Sequence, residues 1–167
     1  CISSVDKNNQ PHSRFVNFKY FFEDNLIFFS NYKSHKAQNF IDNDKVCINF
    51  WWPNIEVQVR IEGTISKCEE KFSDEHFQGR KPEKNVAALV SEQSKKIESY
   101  DLLKQKYEAM KEKVENGDYS QSRPDNWGGY QIKVHFFEFW EANDDRLNYR
   151  ECYEKDNESW SKYFLQS

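Results

Sequence analysis

Between Ile55 and Ser66 the chain alternates, with Val57, Val59 and Ile61 set between Gln58, Arg60 and Glu62. A period of two sends successive side chains to opposite faces of a strand, so one face is written for burial and the other for polar surroundings. That pattern commits the region to an antiparallel sheet with one covered face. Other runs rich in β-branched and aromatic residues predict strands over 13–21, 25–30, 45–52, 130–140, 147–153 and 159–165. Glu23-Asp24-Asn25, Pro53-Asn54 and Asn143-Asp144-Asp145 supply the turns. Connections this short make neighbouring strands antiparallel.

Helical spacing appears in the middle of the chain. Residues 34–43 predict a short helix with Ser34 as N-cap and a buried stripe of Ala37, Phe40 and Ile41. Residues 73–93 predict helix broken near Lys81-Pro82, and 98–115 an amphipathic helix with Leu103, Tyr107, Met110 and Val114 on its inner face. Residues 116–129, with Gly117, Pro124, Gly128 and Gly129, read as loop. Strands come first, a helical block is inserted, and strands finish. The class that follows is α+β, an antiparallel sheet or barrel with inserted helices.

A length of 167 residues suits a single domain over 1–167, and the start at Cys1, with neither Met nor a signal pattern, leads to the expectation that native residues precede it. Phe, Tyr and Trp together number 28, so aromatic side chains are expected to carry the packing. No apolar run approaches the roughly 18 residues of a membrane span, and net charge is −4. Neither a membrane nor a nucleic acid is an expected partner, and the cytoplasm is the default compartment. Cys1, Cys47, Cys68 and Cys152 are far apart and read as reduced structural thiols.

The four histidines lack metal-ligand spacing, no G-x-S-x-G is present, and five glycines form no phosphate-binding loop. Any bound phosphate must therefore be held by side chains. Arg14, Lys19, Lys36, Arg80, Arg146 and Arg150 come from separate segments and could converge into an anion site, although each taken singly reads more readily as a solvated surface group. On a regular strand Arg146, Asn148 and Arg150 would share one face, and Arg14 and Lys19 would point to opposite faces.

Arg14-Phe15-Val16-Asn17-Phe18-Lys19, Phe28-Phe29-Ser30-Asn31-Tyr32, Gln58-Val59-Arg60-Ile61-Glu62-Gly63, Val90-Ser91-Glu92-Gln93-Ser94, Trp127-Gly128-Gly129-Tyr130 and Phe137-Glu138-Phe139-Trp140, followed by Arg146-Leu147, occur in that order. Together they closely resemble the pyridoxamine 5′-phosphate oxidase family, nearly end to end. The resemblance implies a Greek-key split β-barrel homodimer with FMN at the subunit interface. It also implies that pyridoxamine or pyridoxine 5′-phosphate gives up a hydride equivalent from C4′ to the flavin, yielding pyridoxal 5′-phosphate, with O2 reduced to hydrogen peroxide. By the same resemblance Arg14, His35, Lys36, Gln93 and Ser94 would hold the FMN phosphate and its surroundings, Phe29 and Ser30 would line the cofactor, and Gln58, Trp140 and Arg150 would flank its ring. Lys19, His76, Arg80 and Lys84 would take the substrate phosphate. Arg146, with Asn148 beside it, would sit at the reacting carbon.

Four of these positions depart from the family pattern. His35 stands where an arginine is usual, His76 replaces an aromatic hydroxyl, Lys84 a small hydroxyl, and Asn148 an imidazole. A neutral amide at 148 cannot relay a proton. Two readings follow from the resemblance: a working oxidase that relies on positioning, or a paralogue that binds FMN or pyridoxal 5′-phosphate with weakened or lost turnover.

Overall fold

The computed structural model of the chain describes residues 1–119 and 122–167. Strands β1 (Ile2–Val5), β2 (Pro11–Arg14), β3 (Phe18–Phe22) and β4 (Asn25–Asn31) lead into helix α1 (His35–Asp42), followed by β5 (Lys45–Trp52) and β6 (Val57–Lys67). Helices α2 (Glu70–Gln78), α3 (Pro82–Val90) and α4 (Tyr100–Glu115) form the inserted block, and β7 (Trp127–Glu141), β8 (Tyr149–Asp156) and β9 (Ser159–Phe164) close the chain. Two compact units emerge. One comprises Cys1–Phe28, Asn39–Ser66 and Gln131–Ser167, the other Phe29–Gln38 and Lys67–Tyr130.

The first unit is built on the sheet, whose strand order is β2-β1-β5-β6-β7-β4-β3, with β8 added on β7 and β9 on β8. The β1–β2, β1–β5, β3–β4, β7–β8 and β8–β9 pairings are antiparallel, as is the β5–β6 pairing from Lys45↔Thr64 to Trp52↔Val57. The α+β antiparallel class expected from the pattern is the one observed, and among the described residues the sheet stays open. Its hairpins follow their turn chemistry. Glu23 and Asp24, both at positive φ, make the two-residue connection between β3 and β4, whose twist suits the flanking strands. The alternating segment behaves as written: Val57, Val59 and Ile61 are buried.

Several expectations need correction. The strand expected over 13–21 is two strands, with Arg14 ending β2 opposite Ile2, and Lys19 on β3 beside a register shift between Phe18 and Tyr20. The parity argument relating Arg14 to Lys19 therefore lapses. Only Arg150 of the expected trio lies on β8; Arg146 sits in the preceding turn at φ 62°, so Arg146, Asn148 and Arg150 do not share a strand face. Aromatic residues carry much of the packing, as expected, with β-branched residues beside them. Phe28 and Phe77 are the largest fully buried side chains and Leu26 is the one buried leucine among the described residues, while Ile2, Ile48, Ile132 and Val134 are fully buried too; Phe15, at 90% exposed, and Phe21, Phe22 and Trp51 lie largely in solvent. Helix α1 buries Ala37 and Phe40 but leaves Ile41 73% exposed.

In the second unit, α3 begins with Pro82 in its first turn, where a missing N–H costs nothing. The Ser99 side chain accepts from the Leu102 amide and starts α4. Phe77 and Val86 are fully buried. Among the described residues no helix is long and apolar enough to cross a membrane. All four cysteines are free, with Cys68 and Cys152 buried.

Gly63 on β6 lies against β7 so closely that an added Cβ would overlap Ile132 and stand 2.8 Å from the Lys133 carbonyl oxygen. Backbone cannot yield as a flexible side chain can. Gly63→Ala is expected to lower stability by about 1–3 kcal/mol in urea unfolding, and an unchanged midpoint would show that the two strands separate more readily than their packing implies.

Candidate anion and cofactor site

Two groups of polar side chains stand out, one in each unit. In the second unit, β4 delivers Ser30 into reach of the loop that follows α3. Ser30 Oγ donates to Gln93 Oε1 at 3.1 Å, the Asn31 amide donates to the same oxygen at 3.3 Å, and Asn31 Nδ2 reaches the Ser91 carbonyl at 3.2 Å. These bonds consume the carbonyl end of Gln93 and hold its side chain beside β4. Ser94 follows at φ 73°, a left-handed conformation uncommon for a non-glycine residue. Asn31, buried and doubly bonded, was not singled out from the sequence; its place between Ser30 and Tyr32 in a quoted motif was the only signal.

The same unit contains a cavity of about 210 Å³ whose wall includes Ser30, Gln93, Arg80, Lys84 and Trp127. Ligand pockets usually run to about 300–1,000 Å³, so the space suits one end of a ligand and not a whole cofactor. Arg80 lies between α2 and α3. Its Nη2 donates to the Lys84 carbonyl at 2.6 Å and its guanidinium stands 5.0 Å from the centre of the Trp127 ring. Its Nη1 is buried without a hydrogen-bond partner among the described residues. Burial pushes the Arg80 guanidinium pKa down, the signature of a cation taken from water without an acidic neighbour.

His76 joins an aromatic stack. Its ring stacks on Phe29 with centroids 3.6 Å apart and planes at 8°, and Phe72 and Trp127 extend the stack. Gly129 makes room for this, since a Cβ there would stand 3.2 Å from Phe29 and 2.8 Å from the Cys68 sulfur. Lys36 is only 8% exposed and its Nζ donates to Ser34 Oγ at 3.3 Å, whereas His35, one residue earlier, faces solvent. Lys84 is exposed on α3.

In the first unit, Arg14 closes β2 and turns back across β1. Its Nη1 donates to Ser4 Oγ and the His12 carbonyl, each at 2.8 Å, and lies 3.5 Å from the Ile2 carbonyl. All three acceptors are neutral, and burial lowers this pKa too. Lys19 is exposed. Trp140 and Arg150 are brought together as direct register partners across β7 and β8.

Glu138, two residues before Trp140, is 3% exposed and receives one guanidinium on each oxygen: Arg150 on Oε1 at 2.6 Å and Arg60 on Oε2 at 2.8 Å. Arg60 also pairs with Glu62, and its guanidinium stands 4.6 Å from the centre of the Phe136 ring. Burial alone would raise the Glu138 carboxyl pKa; the bonds from Arg150 and Arg60 outweigh it and leave the group below its ordinary value. Arg60, on the polar face of β6, is thus half-buried and ion-paired, and Gln58 shares its face by alternation. Glu138 and Arg60 were missed as site residues; the available signal was a carboxylate inside the apolar run Phe136 to Trp140.

Arg146 is exposed in the β7–β8 turn, where its amide donates to the Asn143 carbonyl at 3.0 Å. Asn148 Oδ1 accepts from the Asn143 amide at 3.2 Å, so its carbonyl end fastens the turn.

An open antiparallel sheet with inserted helices is the arrangement of the split-barrel class. The profile described as pyridoxamine 5′-phosphate oxidase matches residues 1–113, and that of the pyridoxine 5′-phosphate oxidase C-terminal dimerisation region matches residues 127–167. A relative from Colwellia psychrerythraea named pyridoxine/pyridoxamine 5′-phosphate oxidase is 36% identical over 164 residues, covering 98% of this chain and 75% of the relative. Pyridoxine/pyridoxamine 5′-phosphate oxidase 2 from Hydrogenovibrio crunogenus is 39% identical over 164 residues, covering 98% and 76%. The chain belongs to the pyridoxamine 5′-phosphate oxidase family. In fold it matches PhzG from Burkholderia lata, solved with tetrahydrophenazine-1-carboxylic acid, at a TM-score of 0.90 and 24% identity, covering 99% of this chain and 80% of that one. It also matches an FMN-binding protein related to pyridoxamine 5′-phosphate oxidase from Nostoc punctiforme, at a TM-score of 0.78 and 16% identity, covering 99% and 85%.

A half-buried cation with one nitrogen shut off from water and no counter-charge costs stability until an anion arrives. Arg80→Met is expected to leave the ligand-free protein as stable as the parent or up to about 1 kcal/mol more stable, while removing most of the thermal stabilisation given by inorganic phosphate. Equal stabilisation of both proteins in phosphate-dependent melting would show that Arg80 does not take the anion.

Glu138 gives a pH signature. A carboxyl held low in the folded state contributes stability that is complete above its unfolded value, about 4.3, and is lost as pH falls through the folded value. Glu138→Gln is expected to flatten the acid limb of the stability profile below about pH 4.3, read as unfolding midpoint against pH.

Proposed function

We propose that this chain is a homodimeric FMN-dependent oxidase that converts pyridoxamine or pyridoxine 5′-phosphate to pyridoxal 5′-phosphate, with O2 reduced to hydrogen peroxide. The observation that carries the reading is Arg80, a desolvated guanidinium with a buried, unpartnered nitrogen at a cavity that Lys84, Ser30 and Gln93 also line. Phosphate esters are the ligand class such a site suits, because a dianion satisfies the fork and offsets its dehydration. The family profiles support a vitamin B6 phosphate as that ester, and the profile of the dimerisation region supports the homodimer.

The residues present fit the cofactor as well. In the second unit Lys36, Ser30, Gln93 and Ser94 would offer donors to the FMN phosphate and ribityl chain, with His35 close by in sequence and Phe29 as an apolar wall; in the first unit Arg14 would offer a cation to a phosphate. Gln58, Trp140 and Arg150 would meet the ring system, the amide donating and accepting and the guanidinium supplying positive charge. In the second unit Arg80 and Lys84 would grip the substrate phosphate, with His76 shaping the wall through its stack on Phe29; Lys19, in the first unit, is a cation that the resemblance assigns to the same ligand. Arg146 would close over the reacting carbon. FMN, when bound, supplies the two-electron acceptance and its return to oxygen. The chain's own contribution is orientation, holding a phosphate end so that the rest of the substrate has few alternatives.

A second reading, a binding paralogue with weak turnover, is favoured by one observation. The Asn148 carbonyl oxygen is spent on the Asn143 amide, at a position where the family pattern has an imidazole. The two readings separate by absorbance. FMN-loaded protein mixed anaerobically with pyridoxamine or pyridoxine 5′-phosphate is expected to lose its flavin absorbance near 450 nm; a yellow protein that never bleaches would establish the binding reading. Asn148→His is expected to change kcat by less than about tenfold, because positioning and not a proton relay sets the rate. A gain of about a hundredfold would show that the missing imidazole limits turnover.

A further inference from the structure

We infer that Glu138 is a positioning residue, one that aims the Arg150 guanidinium and sets its effective charge toward the flavin ring; this rests on the reading of Arg150 as a ring contact. The basis is the arrangement of four charged groups in the first unit. Glu138 is almost wholly buried and divides its two oxygens between Arg150 and Arg60. Arg60 has a second carboxylate in Glu62, whereas Glu138 is the one carboxylate paired with Arg150 among the described residues. The remaining bond of Arg150 runs from Nη1 to the Gln166 carbonyl at 3.0 Å. Its Nε and Nη2 side is therefore fixed by Glu138, and its direct cross-strand neighbour is Trp140.

A carboxylate held only for stability would be indifferent to what lies beyond Arg150. Here the geometry makes it the agent that orients the guanidinium and reduces its net charge. A positive group beside a flavin favours the reduced, more anionic ring. Removing the Glu138 charge leaves Arg150 uncompensated, which raises the flavin midpoint potential, and frees its torsions, which weakens FMN binding. The inference requires both effects to pass through Arg150 and not through Arg60, and that distinguishes positioning from a general loss of structure.

A double-mutant cycle tests this on the full chain: wild type, Glu138→Gln, Arg150→Gln and the double variant, each titrated with FMN by flavin fluorescence quenching and poised for midpoint potential. Glu138→Gln is expected to weaken FMN by about tenfold and to shift the potential upward, and the double variant to bind no more weakly than Arg150→Gln alone and to show no further potential shift. Losses that multiply in the double variant, or an unchanged affinity and potential in Glu138→Gln, would overturn the inference while leaving the oxidase reading intact. Should Glu138→Gln lack a cooperative melting transition, Glu138→Asp takes its place: the charge stays, the reach shortens, and the smaller loss must again vanish in the Arg150→Gln background. A wild-type protein that binds no FMN would sink the oxidase reading and this inference together.

Discussion

Positive charge removed from water is the constraint around which the polar architecture is organised. The chain resolves it in two ways. Arg60 and Arg150 are compensated by the buried Glu138, with Glu62 sharing Arg60. Arg14 and Arg80 are half-buried against neutral acceptors, and Arg80 keeps one nitrogen with no protein partner among the described residues. Ion pairs of the first kind close on themselves. Arg80, with one nitrogen unpartnered and no carboxylate paired with it among the described residues, is the member of the second kind that an anion would complete.

The scaffolding around these groups follows from close approach of backbone and rings. Gly129 lets Phe29 sit against β7, and the Phe29 ring in turn carries His76 and Trp127. Arg80 rests over that Trp127 face, an arrangement that steadies a guanidinium without neutralising it. Orientation without neutralisation is what an anion-binding arginine requires. The His76 substitution thus becomes intelligible as packing: a flat ring is kept where the family carries an aromatic hydroxyl, although the hydroxyl itself is gone.

Much of the frame was legible in the sequence because local rules and tertiary demands agree. β5 spans the expected 45–52, β6 and the final hairpin fall within two or three residues of their expected bounds, and the helix break lies at Pro82. The failures have physical causes. β1 is four residues long and reads Ile-Ser-Ser-Val, too short and too polar to show a period. Arg146 left the strand expected for it because the Asn143 to Asn148 turn, bonded to itself, runs longer than its three turn residues suggest. Ile41 was placed on the wrong side of α1 because Lys36 and Asn39, both buried polar residues, occupy the inner face. At the site, the resemblance located the cations, but the Glu138 clamp was out of reach of local reading, since its partner Arg60 lies 78 residues away.

Departures from the family pattern change donors more than shape. Lys36 remains buried while His35 faces outward, so the strongest cation of that pair is retained. Asn148 is spent on its own turn. The phosphate grip therefore carries the account, and comparison of two flavins tests it most directly. Isothermal titration of the apoprotein with FMN and with riboflavin, which lacks the phosphate, is expected to give at least a hundredfold tighter binding for FMN, a difference of about 2.7 kcal/mol or more. Equal affinities for the two would contradict the claim that desolvated cations hold the phosphate.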